Sequence, residues 1–407
     1  MDNLKILWFG PHPRELDGGA VVTYYQLLKY NELFPLDEHY GIPKNFDELD
    51  PNVLPFVTYL NQMYTFDEKG EKKPIALAPF YMRQHGIPIC VAFHIAEAID
   101  GYYGAIREVG GFTVLWQTVH WVNDQIFKSK ALPYLDHVVA PTKFAEQTLM
   151  ITGKVKRNHI TYIPHGIPTD KFYPHESLLK NELGIKENSP VILYCGRLDM
   201  WKGIQQLIPC VKPLIRDYNA TFIIRGGPRN LEKSKELDYI FTTMANKPAY
   251  KRNFIYLPEW QSPAFMEELM SICDIYVSPS SHEGWNVPLG EAMSCMKPVV
   301  TTDLPNHREI LSGTGNESTL LVPKVEVGTV NDVQTLKVPS VDNILGALTW
   351  LLENPEERKV RGIAGRQKVL QEYDLANVCT SWKKLFHQIV PENYNMDDEL
   401  AKRMLLT

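Results

Sequence analysis

Short apolar runs alternate with longer segments of helical period along most of the chain. In the first part, runs near 4–9, 87–94, 112–119, 136–140 and 159–163 are rich in β-branched, Leu and aromatic residues. Segments near 20–30, 96–109, 122–131 and 142–152 lie between them and carry helical patterns. The apolar runs are continuous rather than alternating, which suits parallel strands covered on both faces. Strand, helix, strand in repetition predicts a doubly wound α/β layer. A loop, Ile163-Pro164-His165-Gly166-Ile167-Pro168-Thr169-Asp170, interrupts the series, and a polar stretch follows, closing in Asn188-Ser189-Pro190. The alternation then restarts at Val191-Ile192-Leu193-Tyr194-Cys195 and continues near 221–225, 253–257, 274–278 and 297–301. This second series predicts a second α/β domain, with the boundary near 185–190. Helical patterns near 342–353, 355–371 and 375–390 end the chain. The tract 31–75 has no clear period, and 313–340 reads as a loop or small hairpin insertion.

The length of 407 residues agrees with two domains and supplies ample core without disulfides or a structural metal. A net charge of -6 excludes a protein whose main task is gripping nucleic acid, while leaving room for a local basic groove. Cysteines at 90, 195, 210, 273, 295 and 379 form no CxxC pair and no zinc-ligand spacing, so they read as reduced thiols of a cytoplasmic protein. The run Ile6-Leu7-Trp8-Phe9 is too short for a signal-peptide core. No apolar stretch reaches the length of a membrane span, about 18 residues.

Candidate chemistry falls at strand ends. Gly18-Gly19-Ala20 precedes a helix, where backbone can approach a ligand and free N–H groups favour an anion; the same residues also suit a plain βα turn. Gly196-Arg197-Leu198-Asp199-Met200-Trp201-Lys202-Gly203 follows the first strand of the second series. Ligands bind at that end of an open α/β sheet. Arg197 and Lys202 there can neutralise a diphosphate, or simply be solvated loop cations. The stretch from Ser278 to Glu291 carries Glu283 and Glu291 around a Gly-bearing loop, with a helix starting near Pro288. Carboxylates accept from vicinal hydroxyls, which suits a sugar or ribose. His120 and His94 end strands of the first series, and His165 follows a proline; each is a site candidate or a hydrogen-bonded structural histidine.

Taken in order, these pieces resemble the family-4 retaining glycosyltransferases of the GT-B fold, in which two Rossmann-like domains face a central cleft. The resemblance rests on Gly18-Gly19, His120, Pro164-His165-Gly166-Ile167, the segment Gly196 to Gly203, and Glu283 to Glu291 continued by Ala292-Met293-Ser294 and Lys297-Pro298-Val299-Val300. It implies an acceptor-side domain over 1–185, joined by the C-terminal helix at about 376–407, and a donor-binding domain over 186–375. It also implies a role for each residue. Arg197 and Lys202 would bind the donor diphosphate and stabilise the departing charge. Glu291 would take the ribose hydroxyls, and Glu283 would hold the sugar. Gly196, and amides of the stretch Gly284, Trp285, Asn286, Val287, Pro288 and Leu289, would line the donor. Leu257 and Pro258 would flank the base. Gly18, Gly19 and Ala20 would close over the diphosphate, and His120 would contact the transferred sugar.

The implied activity is transfer of a sugar from a nucleotide-diphosphate sugar to an acceptor hydroxyl on a glycan, lipid or small molecule, with retention. It needs no cofactor, and the chain holds no Asp-x-Asp, in keeping with a metal-independent route. A UDP-sugar is preferred over a GDP-sugar on frequency within the family. Where the family usually reads E-G-F-G, this chain has Glu283-Gly284-Trp285-Asn286, so the sugar cannot be copied from a typical member. Other readings are a nucleotide-sugar 2-epimerase of the same architecture and a non-catalytic nucleotide-sugar-binding protein. A pyridoxal-phosphate phosphorylase is disfavoured by chain length. Lys128, Lys130, Lys143, Lys154, Lys156 and Arg157 make one region locally basic. That suits weak peripheral contact with an inner membrane face, or scattered solvated cations.

Overall fold

The computed structural model describes residues 3–10, 18–43, 54, 57–59, 64–66, 72–74, 77–93, 103–120, 127, 129–227, 232–250, 252–259, 261–321, 323–330 and 334–404. The chain divides into two compact units: Met1–Gly166 with Leu375–Thr407, and Ile167–Asp374. The division falls before the Pro-bearing segment at 188–190, because the residues after Gly166 pack within the second unit. Phe172 is buried there, and its carbonyl accepts a hydrogen bond from Ser294 Oγ at 2.5 Å.

Unit one carries β1 (Lys5–Gly10), β2 (Glu38–Pro43), β3 (Val57–Tyr59), β4 (Tyr64–Phe66), β5 (Lys72–Pro74), β6 (Ile89–Phe93), β7 (Phe112–Trp116), β8 (His137–Ala140) and β9 (Ile160–Tyr162). Seven of these form one sheet in the order β3-β2-β1-β6-β7-β8-β9. Every pairing in it is parallel. β4 and β5 make a separate antiparallel pair. β6, β7 and β8 are buried at every position, which explains their unbroken apolar sequences.

The run expected over 112–119 stops as a strand at Trp116, and Gln117 N continues only one hydrogen bond to Val139 O. β2 and β3 come from the tract without a clear period. Helical residues are present over 103–108, and the helix 143–151 begins behind a Thr142 cap. The helix expected near 122–131 and the first part of that near 96–109 lie outside the described residues.

The second unit has a six-stranded parallel sheet. It is built from β10 (Val191–Cys195), β11 (Thr221–Arg225), β12 (Phe254–Leu257), β13 (Ile275–Ser278), β14 (Val299–Thr302) and β15 (Leu320–Leu321). The order is β12-β11-β10-β13-β14-β15. β16 (Pro323–Val330) and β17 (Gln334–Pro339) form an antiparallel hairpin, within the tract read as a loop or small hairpin. The strand order turns back on itself between β10 and β13. At such a switch the two following loops leave in opposite directions and open a crevice at the strand ends. Those loops here are 196–203 and 279–286.

The helix Leu375–Ile389 returns the chain to unit one, where a buried ion pair fixes it. Lys383 Nζ donates to both Asp37 oxygens, at 2.8 and 2.6 Å. Asp37 also accepts from Leu4 N at 2.9 Å and Tyr30 hydroxyl at 3.1 Å. Trp382 and Phe386 of this helix pack against Trp8 of β1. Among the described residues, no helix is long and apolar enough to cross a membrane.

The Asp37 carboxylate thus joins three elements of unit one and compensates a buried cation. Asp37→Ala should cost about 3–5 kcal/mol of stability, the typical penalty for orphaning one partner of a buried pair. Hydrogen exchange would show it as early loss of protection in 375–389; unchanged protection there would remove the pair from that role.

Candidate functional site

The crevice between the ends of β10 and β13 holds the charged residues singled out in the sequence. After β10, the loop is shaped by short-range bonds. Tyr194 hydroxyl donates to Arg197 O at 3.0 Å, and Asp199 Oδ1 accepts from Lys202 N at 3.1 Å. Asp199 Oδ2 also holds Arg197 Nε at 3.1 Å, so the guanidinium has one edge engaged and is only part-buried. Gly203 closes the loop at φ 61°, where a Cβ would collide with Pro279 O. Glycine alone permits both the left-handed backbone and that approach.

The loop after β13 is tied directly to it. Ser281 donates from N and from Oγ to Trp201 O, at 2.7 and 3.0 Å. Lys202 Nζ donates to Glu283 Oε1 at 2.7 Å, and the Glu283 side chain is 7% exposed. Burial alone would raise the Glu283 carboxyl, but Lys202, with lesser help from His307 and Ser280, outweighs it and brings it from 4.5 to about 2. Glu283 is therefore ionised at neutral pH. Asn306 Nδ2 donates to Glu283 O at 2.6 Å and pins the backbone of this residue.

Asn286 takes φ 74° and caps the helix Val287–Ser294, with Pro288 in its first turn. Asparagine tolerates this left-handed position where most residues would be strained. Its Nδ2 donates to Ser278 Oγ at 3.0 Å. Trp285 is buried, edge-on to Tyr373 at 5.4 Å. A Cβ at Gly290 would stand 2.7 Å from its ring, so Trp285 and Gly290 are a fitted pair. Its bulk packs into the core of the unit.

Glu291 lies in the same helix, 4% exposed. Burial pushes its carboxyl up to about 8, the nearby Arg225 opposing and Glu267 assisting the rise. The two glutamates thus sit in opposite electrostatic settings. Leu257 ends β12, and its carbonyl accepts from Gly226 N at 3.1 Å. Gly227 stands so close to Pro258 that a Cβ would be 2.5 Å from Pro258 O. Gly196 N donates to Arg225 O at 3.0 Å.

The remaining candidates lie in unit one. The helix Gly18–Leu33 starts at Gly18, with Gly19 and Ala20 in its first turn. His120 is part-buried beyond the end of β7. His165 is buried, with its ring centroid 5.0 Å from that of Trp116 and 6.0 Å from that of Phe93, which favours the structural reading of this histidine. His94 lies outside the described residues. In the basic region, Arg157 and Lys143 both pair with the buried Glu146, at 3.0 and 3.4 Å. Asp199, Arg225, Asn306 and His307 complete the geometry of the second unit without having been assigned roles from sequence. Only the strand-end position of Arg225 and the loop position of Asp199 offered a signal.

Residues 176–368 match the family model described as glycosyl transferases group 1. The matched segment lies within the second unit and spans just under half of the chain. The alpha-galactosylglucosyldiacylglycerol synthase of Streptococcus pneumoniae is 29% identical over 183 residues, 44% of this chain and 47% of its own length. The alpha-maltose-1-phosphate synthase of Mycolicibacterium smegmatis is 21% identical over 311 residues, 75% of this chain and 74% of its own. A glycosyltransferase structure from Rickettsia africae superposes with a TM-score of 0.75 at 16% identity, covering 97% of this chain and 100% of that one. The Anabaena HepE structure in complex with UDP-glucose gives 0.72 at 15% identity, covering 95% and 100%. The architecture is α/β of the GT-B type: the sequence pattern led us to expect doubly wound α/β domains, and the family resemblance the GT-B arrangement.

The Lys202–Glu283 pair predicts a pH signature. A carboxyl depressed from 4.5 to about 2 adds stability above pH 4.5 that is lost as pH falls through 2. Lys202→Met leaves a buried lone carboxylate and should cost about 3–5 kcal/mol at pH 7. Urea denaturation at several pH values should show the gap to wild type narrowing as pH falls below the ordinary carboxyl range. A pH-independent gap would locate the loss in the lysine stem instead.

Proposed function

We propose that this glycosyl transferases group 1 member moves a sugar from a nucleotide-diphosphate sugar to an acceptor hydroxyl, with retention and without a metal ion. The observation that carries the reading is the constellation at the β10–β13 switch: Arg197, Lys202 and Glu283 on two loops bonded to one another, with Glu291 in the helix that follows. Open α/β sheets bind their ligands at such a switch.

In this reading the fork of Arg197 and the point charge of Lys202 take the diphosphate. Bond cleavage at the anomeric carbon places negative charge on the leaving phosphate, and fixed cations favour that charge most as it develops. Asp199 and Glu283 hold the two cations in place before the ligand arrives, which lowers the reorganisation needed. Glu283, ionised and close to Lys202, accepts from sugar hydroxyls. Glu291 accepts from the ribose. The N-terminal turn of the helix Val287–Ser294 supplies donors to the sugar.

The acceptor deprotonates against the donor phosphate, so no protein nucleophile is assigned. The Glu283 and Glu291 pair is not a glycosidase acid and nucleophile, because both have binding roles here. A UDP-sugar is the preferred donor, and the UDP-glucose complex of the Anabaena protein supports that preference. The S. pneumoniae and M. smegmatis relatives carry the names of a glycolipid synthase and a sugar-phosphate synthase, so acceptors of both kinds belong in the assay.

Nucleotide sugars should first be screened for thermal stabilisation, since a ligand of the native state raises the melting temperature. The hits should then be assayed for transfer and for epimerisation. Arg197→Ala should lower turnover by about 10²–10³-fold, the scale for losing one charge-stabilising group. Turnover should be the same with and without EDTA. Turnover near wild type in Arg197→Ala, loss with EDTA restored by Mg²⁺, or epimer formation without a glycoside would each overturn the corresponding part of the reading.

A further inference from the structure

Two buried asparagines hold the span 283–286 of the loop after β13. Asn306, the second residue of the helix Pro305–Leu311, is 1% exposed and donates from Nδ2 to Glu283 O at 2.6 Å. Asn286 is 8% exposed and engages both ends of its amide inside the unit. Its Nδ2 donates to Ser278 Oγ at 3.0 Å, and its Oδ1 accepts from Leu289 N and from the Tyr276 hydroxyl, each at 3.4 Å. The Tyr276 hydroxyl also lies 3.4 Å from Cys195 O, and Ser278 Oγ lies 3.2 Å from Ser280 Oγ. The Asn286 side chain is thereby tied to the ends of both β10 and β13.

Gly284 and Trp285 alone lie between these two anchors, and the Trp285 ring packs edge-on to Tyr373. Ser281 on Trp201 O and Lys202 on Glu283 Oε1 fix the residues before them. A Gly-bearing loop is otherwise among the costlier pieces of chain to order, because glycine loses the most conformational freedom. Here the order is in place before a ligand arrives, and a preorganised loop loses less on binding. Glycine, usual at position 286 in the family this sequence resembles, has no side chain with which to reach Ser278. The lock at this end of the span therefore belongs to the Asn286 side chain.

We propose that the Asn286 and Asn306 side chains are positioning groups that clamp the span 283–286 and thereby set the choice of donor sugar. Neither side chain is assigned a contact with the donor. Asn306 fixes the backbone from which the Glu283 carboxylate projects, and Asn286 fixes the far end of the same short span. The Glu283 oxygens then meet sugar hydroxyls in one orientation. An epimer that carries its hydroxyl elsewhere leaves a buried polar group unpaired, which is the strongest basis for rejecting a close analogue. The inference rests on the nucleotide-sugar reading above and adds to it what selects the sugar.

Wild type, Asn286→Gly, Asn306→Ala and the double variant are titrated with UDP and GDP, then with the glucose, galactose and mannose conjugates of whichever nucleotide binds. Wild type should separate the three conjugates by about tenfold or more, the scale of one hydrogen bond to a charged group. Each single variant should lose about tenfold more affinity for the preferred conjugate than for the free nucleotide, and the separation between epimers should narrow. The double variant should lose less than the product of the two single losses, because releasing either end frees the same span. Asn286→Gly keeps the left-handed backbone without strain, so it guards against an Asn306→Ala variant that folds poorly. Equal losses for nucleotide and conjugate, an unchanged separation in both variants, or no separation in wild type would overturn the clamp and leave the donor reading standing. Failure of wild type to bind either nucleotide would overturn both.

Discussion

The contact between Lys202 and Glu283 is the constraint on which the second unit's crevice depends. It joins side chains of two loops that leave neighbouring strands of the sheet. Taking two charges out of water is expensive, and an apolar pair of similar volume commonly serves stability as well or better. The pair's contribution is therefore one of position. A lysine held by a single carboxylate oxygen keeps two further N–H donors for a ligand, and the glutamate keeps unfilled lone pairs. Around it, Gly203 against Pro279 and Ser281 against Trp201 make the backbone of the two loops mutually dependent.

Polarity is graded along the crevice. Glu283 is an anion by virtue of its lysine, whereas Glu291, deeper in the helix, is held towards the neutral acid by burial. Two carboxyls of one motif thus differ in charge because their neighbours differ, and the spacing between them says nothing about it. The proposed division of labour follows that difference. The ionised group stands with the cations, and the poised one lies buried in the helix that follows.

Much of the fold was legible because fully buried parallel strands must be apolar throughout. Val191–Cys195 and Thr221–Arg225 were read from the sequence to the residue. β2 was not, because Glu38-His39-Tyr40-Gly41-Ile42-Pro43 has a mixed composition with glycine and proline. It is held by parallel pairing to β1 and by Asp37 on Leu4 N, both long-range effects. The same limit applied to the site. Gly203, Lys202 and Glu283 carry a recognisable local pattern, whereas Asn306 matters through a bond to Glu283 O across 23 positions. Trp285 showed the converse. Its motif position drew attention to the sugar, yet its ring packs against Tyr373 and Gly290.

The two ends of the second unit lie side by side. Ile167 and Asp374 form a parallel bridge, Ile167 N donates to Tyr373 O at 2.8 Å, and Thr169 Oγ1 donates to Asp374 Oδ2 at 2.5 Å. In genetic terms this makes residues 167–374 a cassette. Because its entry and exit are already paired, it could be lifted out, or given new termini elsewhere, with the old ends sealed by a very short splice. A module whose ends meet imposes little on the chain that hosts it.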